Sequence, residues 1–117
     1  MLIQQKPWGE EIIYAHDNGL YIGKKIIVTK GNRISLQSHG KKHETFYLDK
    51  GIAEFIIEKK TYTISDTDPL ENRVFVIKPG TKHRIRALTD CIILESSTDH
   101  PNDIQRYEDD YGRKNKK

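Results

Sequence analysis

Gly31-Asn32-Arg33-Ile34-Ser35-Leu36-Gln37-Ser38-His39-Gly40-Lys41-Lys42-His43-Glu44-Thr45-Phe46-Tyr47-Leu48-Asp49-Lys50-Gly51 is the stretch on which the reading of this chain turns. It carries an amide at Gln37, an imidazole at His39 and a carboxylate at Glu44, between two glycines that punctuate strands. Side chains alternate along extended backbone, so over residues 34–39 those of Gln37 and His39 point to one face. Residues 40–43 read as a turn, and Glu44 opens a strand on which it shares a face with Phe46 and Leu48. Far downstream, Lys78-Pro79-Gly80-Thr81-Lys82-His83 supplies a tight turn with a second imidazole at a strand start. Gln37, His39, Glu44 and His83 together form the donor set of a mononuclear metal site. Taken singly, each is an ordinary hydrogen-bonded residue, and a polar barrel interior also suits an organic ligand.

Working outward, strands are expected over 10–15 and 20–29, joined by Asp17-Asn18-Gly19 with hairpin chemistry. Lys30-Gly31-Asn32 turns into a strand over 33–39. Strands over 44–48 and 52–58 flank Asp49-Lys50-Gly51, which reads as another hairpin. Further strands fall over 61–65, 73–78, 83–88 and 91–96, with a polar loop over 66–72. A string of about eight or nine short strands with turns between them reads as an all-β sandwich or barrel. Only 102–111 is expected to be helical, with Pro101 near its start and Gly112 past its end. The domain then covers 1–112, and 113–117 is a basic disordered tail.

A chain of 117 residues makes one domain large enough to bury a core. The net charge of +3 is modest and its basic residues are interleaved with acids, so the balance fits a small anionic ligand. No nucleic-acid recognition module is legible, and no nucleic-acid partner is expected. The single cysteine, Cys91, lies in the apolar run Cys91-Ile92-Ile93-Leu94 and reads as a buried, reduced thiol of a cytoplasmic protein. No apolar run approaches the ~20 residues of a membrane span, and the N-terminus lacks a signal-peptide core. No membrane partner is expected. Arg33 shares the parity of Gln37 and His39 and is the first choice to grip an anionic substrate group, against the alternative of a solvated strand end. Trp8, in Lys6-Pro7-Trp8-Gly9, is a lid or plug over the substrate cavity. Lys42 and Lys82 sit on turns at the barrel mouth, within reach of a phosphate or placed to serve as acid or base. Arg84 and Arg86 alternate away from His83 and should face outward.

Gly31-x5-Gln37-x-His39-x4-Glu44-x6-Gly51, followed by Pro79-Gly80-x-x-His83, resembles the two cupin motifs. Gln37 stands where the first histidine is usual, and the asparagine that ends the second motif is absent. A closer resemblance covers nearly the whole chain. Lys6-Pro7-Trp8-Gly9, Ile34-Ser35-Leu36-Gln37-Ser38-His39, Pro79-Gly80-Thr81-Lys82-His83-Arg84 and Asp103-Ile104-Gln105-Arg106-Tyr107-Glu108-Asp109-Asp110-Tyr111-Gly112-Arg113 are similar to the type II mannose-6-phosphate isomerase domain. That domain is usually the C-terminal part of a bifunctional enzyme with mannose-1-phosphate guanylyltransferase, and Gln before the histidine belongs to its pattern.

The resemblance implies a single-domain cupin, a double-stranded β-helix of jelly-roll type, with a divalent metal held by Gln37, His39, Glu44 and His83. Mixed nitrogen and oxygen donors put zinc first, with manganese, iron, cobalt or nickel as alternatives. The implied reaction is aldose–ketose isomerisation of a sugar phosphate or nucleotide sugar through an enediolate, in surface-polysaccharide synthesis. Glu95 corresponds to a glutamate of the family's last strand, an inward carboxylate that can act as base. A homodimer is implied, formed through edge strands or an arm at 1–6. Two departures stand out. Lys42 replaces an arginine implicated in isomerisation, which keeps the charge but loses the bidentate fork, and Thr45 replaces a histidine. No nucleotidyltransferase half precedes the domain, so guanylyl transfer is not expected. The competing readings are a nucleotide-sugar epimerase or keto-isomerase and a non-catalytic sugar- or metabolite-binding cupin. A cupin dioxygenase is disfavoured, since nothing marks an electron-rich substrate.

Overall fold

Short runs of alternating apolar and polar residues between turns give the chain its strands, as the side-chain period of two requires. The computed structural model describes residues 1–100 and 102–113. In chain order the strands are β1 (Leu2–Lys6), β2 (Gly9–Asp17), β3 (Tyr21–Val28), β4 (Leu36–Ser38), β5 (Glu44–Lys50), β6 (Ile52–Ile57), β7 (Lys60–Ser65), β8 (Val74–Ile77), β9 (His83–Ala87), β10 (Cys91–Thr98) and β11 (Gln105–Glu108). A short 3-10 helix (Leu70–Arg73) precedes β8. Two antiparallel sheets face each other: a six-stranded one in the order β1-β2-β3-β10-β5-β8, and a five-stranded one in the order β11-β4-β9-β6-β7. The expected all-β jelly-roll is what forms. Among the described residues no helix is long and apolar enough to cross a membrane.

The inward rows of the two sheets divide the interior into two ends. At one end Val28, Leu48, Phe55, Ile77, Ile85 and Ile93 pack almost free of solvent, with Trp8 completing the apolar cluster. Each such side chain contributes roughly 1.5–3 kcal/mol through burial. At the other end the inward positions are polar: Ser35, His39, Lys42, Glu44, His83, Glu95 and Ser97 are all buried. The register forces this grouping. Ser97 on β10 lies opposite Glu44 on β5, and Gln37 on β4 lies opposite His83 on β9. Directly opposed residues share a face, so all of them look into the barrel.

Three expectations are corrected here. The hairpin expected across Asp49-Lys50-Gly51 does not form, because β5 belongs to the six-stranded sheet and β6 to the five-stranded one. Phe46 and Leu48 of β5 and Ala53 and Phe55 of β6 must all reach the same core, and they do so from opposite sheets. Gly51, at φ 96°, makes the crossover. The helix expected over 102–111 is also absent: Gln105–Glu108 is a strand, antiparallel to β4. The three-residue β4 would otherwise leave its backbone edge unpaired beside the polar end of the interior, and an added strand satisfies it. Pro101, the expected helix start, lies outside the described residues. Of the expected tail, Arg113 is described and bonded to Asp109 at 3.0 Å, while 114–117 lie outside the described residues. The expected arm at 1–6 folds back as β1 on β2 of its own chain, with Leu2 opposite Ile13.

Gly9 gives a test of the packing. It sits at φ 152° with its Cα against the Ile27 carbonyl, where a Cβ would fall on the carbonyl oxygen. Gly9→Ala is expected to cost on the order of 3 kcal/mol in urea unfolding, from overpacking and backbone strain together. Gly80→Ala, at φ 83° but facing open space, should cost only about 1–2 kcal/mol. Equal losses for the two variants would contradict the close approach at Gly9.

Candidate metal centre

Three elements deliver the donors. His39 follows β4, Glu44 begins β5 and His83 begins β9. Their ligand atoms lie within 4.8 Å of one another, and all three residues are buried. His39 Nε2 is 3.1 Å and His83 Nε2 3.2 Å from Glu44 Oε2. None of the three atoms has a hydrogen-bond partner. Meanwhile the far nitrogen of each ring is committed to main chain: His39 Nδ1 lies 2.6 Å from the Asp103 carbonyl, and His83 Nδ1 lies 2.9 Å from the Thr81 carbonyl. A carbonyl can only accept, so each Nδ1 carries the proton, and in a neutral ring Nε2 then presents its lone pair. Two lone pairs and a carboxylate oxygen therefore converge in a buried space, an arrangement that repels itself unless a cation fills it. The donor chemistry fits a divalent metal, and the main-chain acceptors behind the imidazoles are the outer partners such ligands require. Gln37 lines the same cavity, and its Oε1 accepts from Ser35 Oγ at 3.3 Å.

Beside this cluster the charges alternate along the inner face of the larger sheet. Lys42 Nζ stands 3.5 Å from Glu44 Oε1 and 3.0 Å from Glu95 Oε2. Glu95 accepts from Ser97 Oγ at 2.8 Å and faces Lys24 at 4.0 Å, and Lys24 in turn binds Glu11 at 2.7 Å. Burial alone would raise the Glu44 pKa, but positive charge facing it, a proton on an imidazole Nε2 together with the Lys42 ammonium, outweighs burial and holds the carboxyl below its usual range. Burial alone would likewise discharge Lys42, yet Glu95 and Glu44 outweigh it and push the ammonium's pKa up. These groups line a cavity of about 310 Å³ whose apolar wall includes Trp8, Ile26, Phe46 and Ile85.

Of the residues singled out from sequence, Gln37, His39, Glu44, Lys42, Glu95 and Trp8 line this cavity. His83 joins them through its contact with Glu44. Trp8 is 5% exposed, so it is a plug in the wall rather than an open platform. Lys42 sits on the turn between β4 and β5, as expected from its place before Glu44, but its side chain is buried in the cavity. Lys82 lies elsewhere, its ammonium 4.3 Å from the Tyr107 ring on the outside of β11. Arg33 also points away from the cavity and is clamped to Asp110 at 2.6 Å. Its parity argument fails because strict alternation breaks before β4. Arg33 bridges to outward-facing Arg86, whereas both Ile34 and Ser35 line the cavity. Arg84 faces outward as expected but is buried, its Nε donating to the Ile34 carbonyl at 2.8 Å beneath the C-terminal segment. Glu11 and Lys24 also line the cavity, beyond the residues that the sequence motifs single out. Their signal was a charge in an otherwise apolar inward row, Lys24 between Ile22 and Ile26 on β3.

A family model described as mannose-6-phosphate isomerase C-terminal matches residues 3–109. No curated protein matches the chain in a sequence comparison. Among solved structures, the chain is similar to the capsular polysaccharide assembling protein CapF from Staphylococcus aureus (TM-score 0.78, 21% identity, 92% of this chain but 34% of that one). It is also similar to a Streptomyces nucleoside dehydratase solved with uridine (TM-score 0.75, 12% identity, 92% and 84% covered). A third is an RmlC-like cupin from Shewanella frigidimarina (TM-score 0.72, 16% identity, 85% and 84% covered). Likeness at these identities shows the fold, an RmlC-like cupin.

Lys24 and Glu11 make the electrostatics testable away from the ligands. Burial raises the Glu11 pKa and the Lys24 ammonium lowers it by more, so the folded value lies below the ordinary 4.5. A depressed folded pKa gives stability that is complete above the unfolded value and is lost as pH falls through the folded one. Unfolding free energy measured between neutral pH and pH values below 4.5 should therefore fall less steeply in Glu11→Gln than in the parent chain. Superimposable profiles would contradict the pairing.

Proposed function

The chain belongs to the family of mannose-6-phosphate isomerase C-terminal domains, and on that premise we propose that it is a metal-dependent aldose–ketose isomerase acting on a sugar phosphate or nucleotide sugar. The observation that carries this reading is the adjacency of two devices in one cavity. A convergent set of unpartnered donors at His39, Glu44 and His83 stands beside the buried Lys42–Glu95 pair. His39, Glu44 and His83, with Gln37 as a neutral fourth, would hold a divalent cation, which would supply Lewis-acid polarisation of a substrate carbonyl and so make the neighbouring carbon–hydrogen bond more acidic. Zinc suits the donor set first, and manganese, iron, cobalt and nickel are the alternatives.

The chain's own residues then divide the proton work. Glu95 takes the proton from the carbon next to the carbonyl and returns it to the former carbonyl carbon. Ser97, Lys42 and Lys24 all approach Glu95 Oε2, which leaves Oε1 to receive that proton. Lys42, as an ammonium, donates to the substrate oxygen on which negative charge develops. The apolar wall around Trp8 and Phe46 keeps competing water from the transferred proton. Basic groups lining the same cavity, among them Lys6 and Arg113, suit the phosphate or nucleotide end of the substrate.

We carry two further parts of the reading. A homodimer would cover the sheet edge at β1, where Leu2 and Ile3 are about half exposed. A buried free Cys91 and a phosphorylated substrate fit a cytoplasmic enzyme.

Incubation with mannose 6-phosphate and fructose 6-phosphate in deuterated water, followed by proton NMR, tests the chemistry. Metal-loaded protein should exchange the C1 or C2 hydrogen, and Glu95→Gln or Lys42→Met should slow that exchange by roughly 10²–10⁴-fold. If neither hydrogen exchanges with zinc, manganese or cobalt supplied, isomerisation of this pair is refuted and a binding protein takes its place.

A further inference from the structure

Asp103, which opens the C-terminal motif, has no part in the chemistry above, yet it touches the metal centre at its most sensitive point. Register explains the contact. β11 runs antiparallel to β4, with Gln105 opposite Ser38 and Arg106 opposite Gln37. Carrying that pairing onward places Asp103 opposite Gly40, in the turn that joins His39 to Glu44. There one residue makes four bonds. Its carbonyl oxygen receives the His39 Nδ1 hydrogen bond at 2.6 Å. Its carboxylate accepts the backbone N–H groups of three successive residues: Gly40 at 3.1 Å on Oδ1, and Lys41 at 2.6 Å and Lys42 at 3.0 Å on Oδ2. Consecutive N–H groups form an anion-binding concavity, and here the anion is supplied by the chain itself. The fit is close: a Cβ on Gly40 would stand 3.1 Å from Asp103 Oδ1.

We infer that Asp103 is the positioning residue of the metal centre, holding His39 and Lys42 in place together. The carbonyl bond fixes the protonated nitrogen of His39, so that Nε2 is the atom turned toward Glu44. The three amide bonds fix the turn, so that the Lys42 side chain enters the cavity and reaches Glu44 and Glu95. A ligand and the ammonium beside the ligands are thus set by one residue 64 and 61 positions away in sequence, brought in by the strand that also covers the edge of β4. This rests on the metal-site reading above, and Asp103 itself touches neither substrate nor cation.

Cobalt titration followed by visible absorption separates positioning from mere support of the fold. Asp103→Ala, checked as folded by circular dichroism, keeps the carbonyl that bonds His39 but releases the 40–42 turn that holds that carbonyl and Lys42 in register, and should bind Co²⁺ roughly 10-fold more weakly. Its absorption bands should change shape, and amide exchange at residues 40–42 should accelerate. Asp103→Asn keeps one acceptor oxygen and should recover part of the affinity, which also serves if the alanine variant does not fold. Asp110→Asn loosens the same segment from Arg33 without reaching the turn and should leave Co²⁺ affinity unchanged. Equal Co²⁺ affinity and spectra in the parent, Asp103→Asn and Asp103→Ala would overturn the inference while leaving the site intact. A parent chain that binds no Co²⁺ would remove the metal reading, and this inference with it.

Discussion

The polar end of the barrel depends on a close approach of three acceptors, which a positive charge placed among them relieves. Two imidazole lone pairs and a carboxylate oxygen are held about a hydrogen bond's length apart, inside a barrel, with no donor among them. Buried polar atoms without partners are rare because each costs about 1–3 kcal/mol of lost hydration. Here three of them point at one another, and the main chain actively prevents the imidazoles from turning away, since Asp103 and Thr81 hold their other nitrogens. Rigid backing of this kind costs conformational freedom. It is useful when the atoms must be ready for a ligand before it arrives.

The neighbouring charges follow from the same geometry. A barrel interior cannot hold several like charges, so the inward row alternates: Glu44, Lys42, Glu95, Lys24 and Glu11 are linked by contacts of 4.0 Å or less. Each ion is compensated by the next, which is how so many titratable groups stay charged out of water. The apolar half of the interior, packed around Phe46 and Phe55, provides the rigidity against which this polar half is ordered.

How far the sequence foretold this varies residue by residue, for physical reasons. The parity of Gln37, His39 and Glu44, and the turn before His83, could be read directly, because strand alternation and Pro-Gly turns are local properties. Gln37, His39 and Glu44 line one cavity, and His83 lies against Glu44. Arg33 was misread because a single irregular stretch before β4 undoes the alternation that the argument needed. The pairing of β5 with β10 and β8, rather than with β6, is a long-range choice made by the core, and a local turn signal could not reveal it. Residues 105–108, inside the helix expected over 102–111, form a strand for a related reason. What makes them a strand is the unsatisfied edge of β4, nearly seventy residues earlier. Lys82 was placed at the mouth by its turn, but the side chain leaves on the outer face toward Tyr107.

The central claim is a divalent ion at His39, Glu44 and His83, and metal content tests it most directly. Elemental analysis of the purified, desalted protein should find about one equivalent of a divalent transition metal per chain, and His83→Ala, confirmed as folded, should lose most of it. Protein that takes up no stoichiometric metal even when zinc, manganese or cobalt is offered, or whose metal content is indifferent to His83→Ala, would contradict the account.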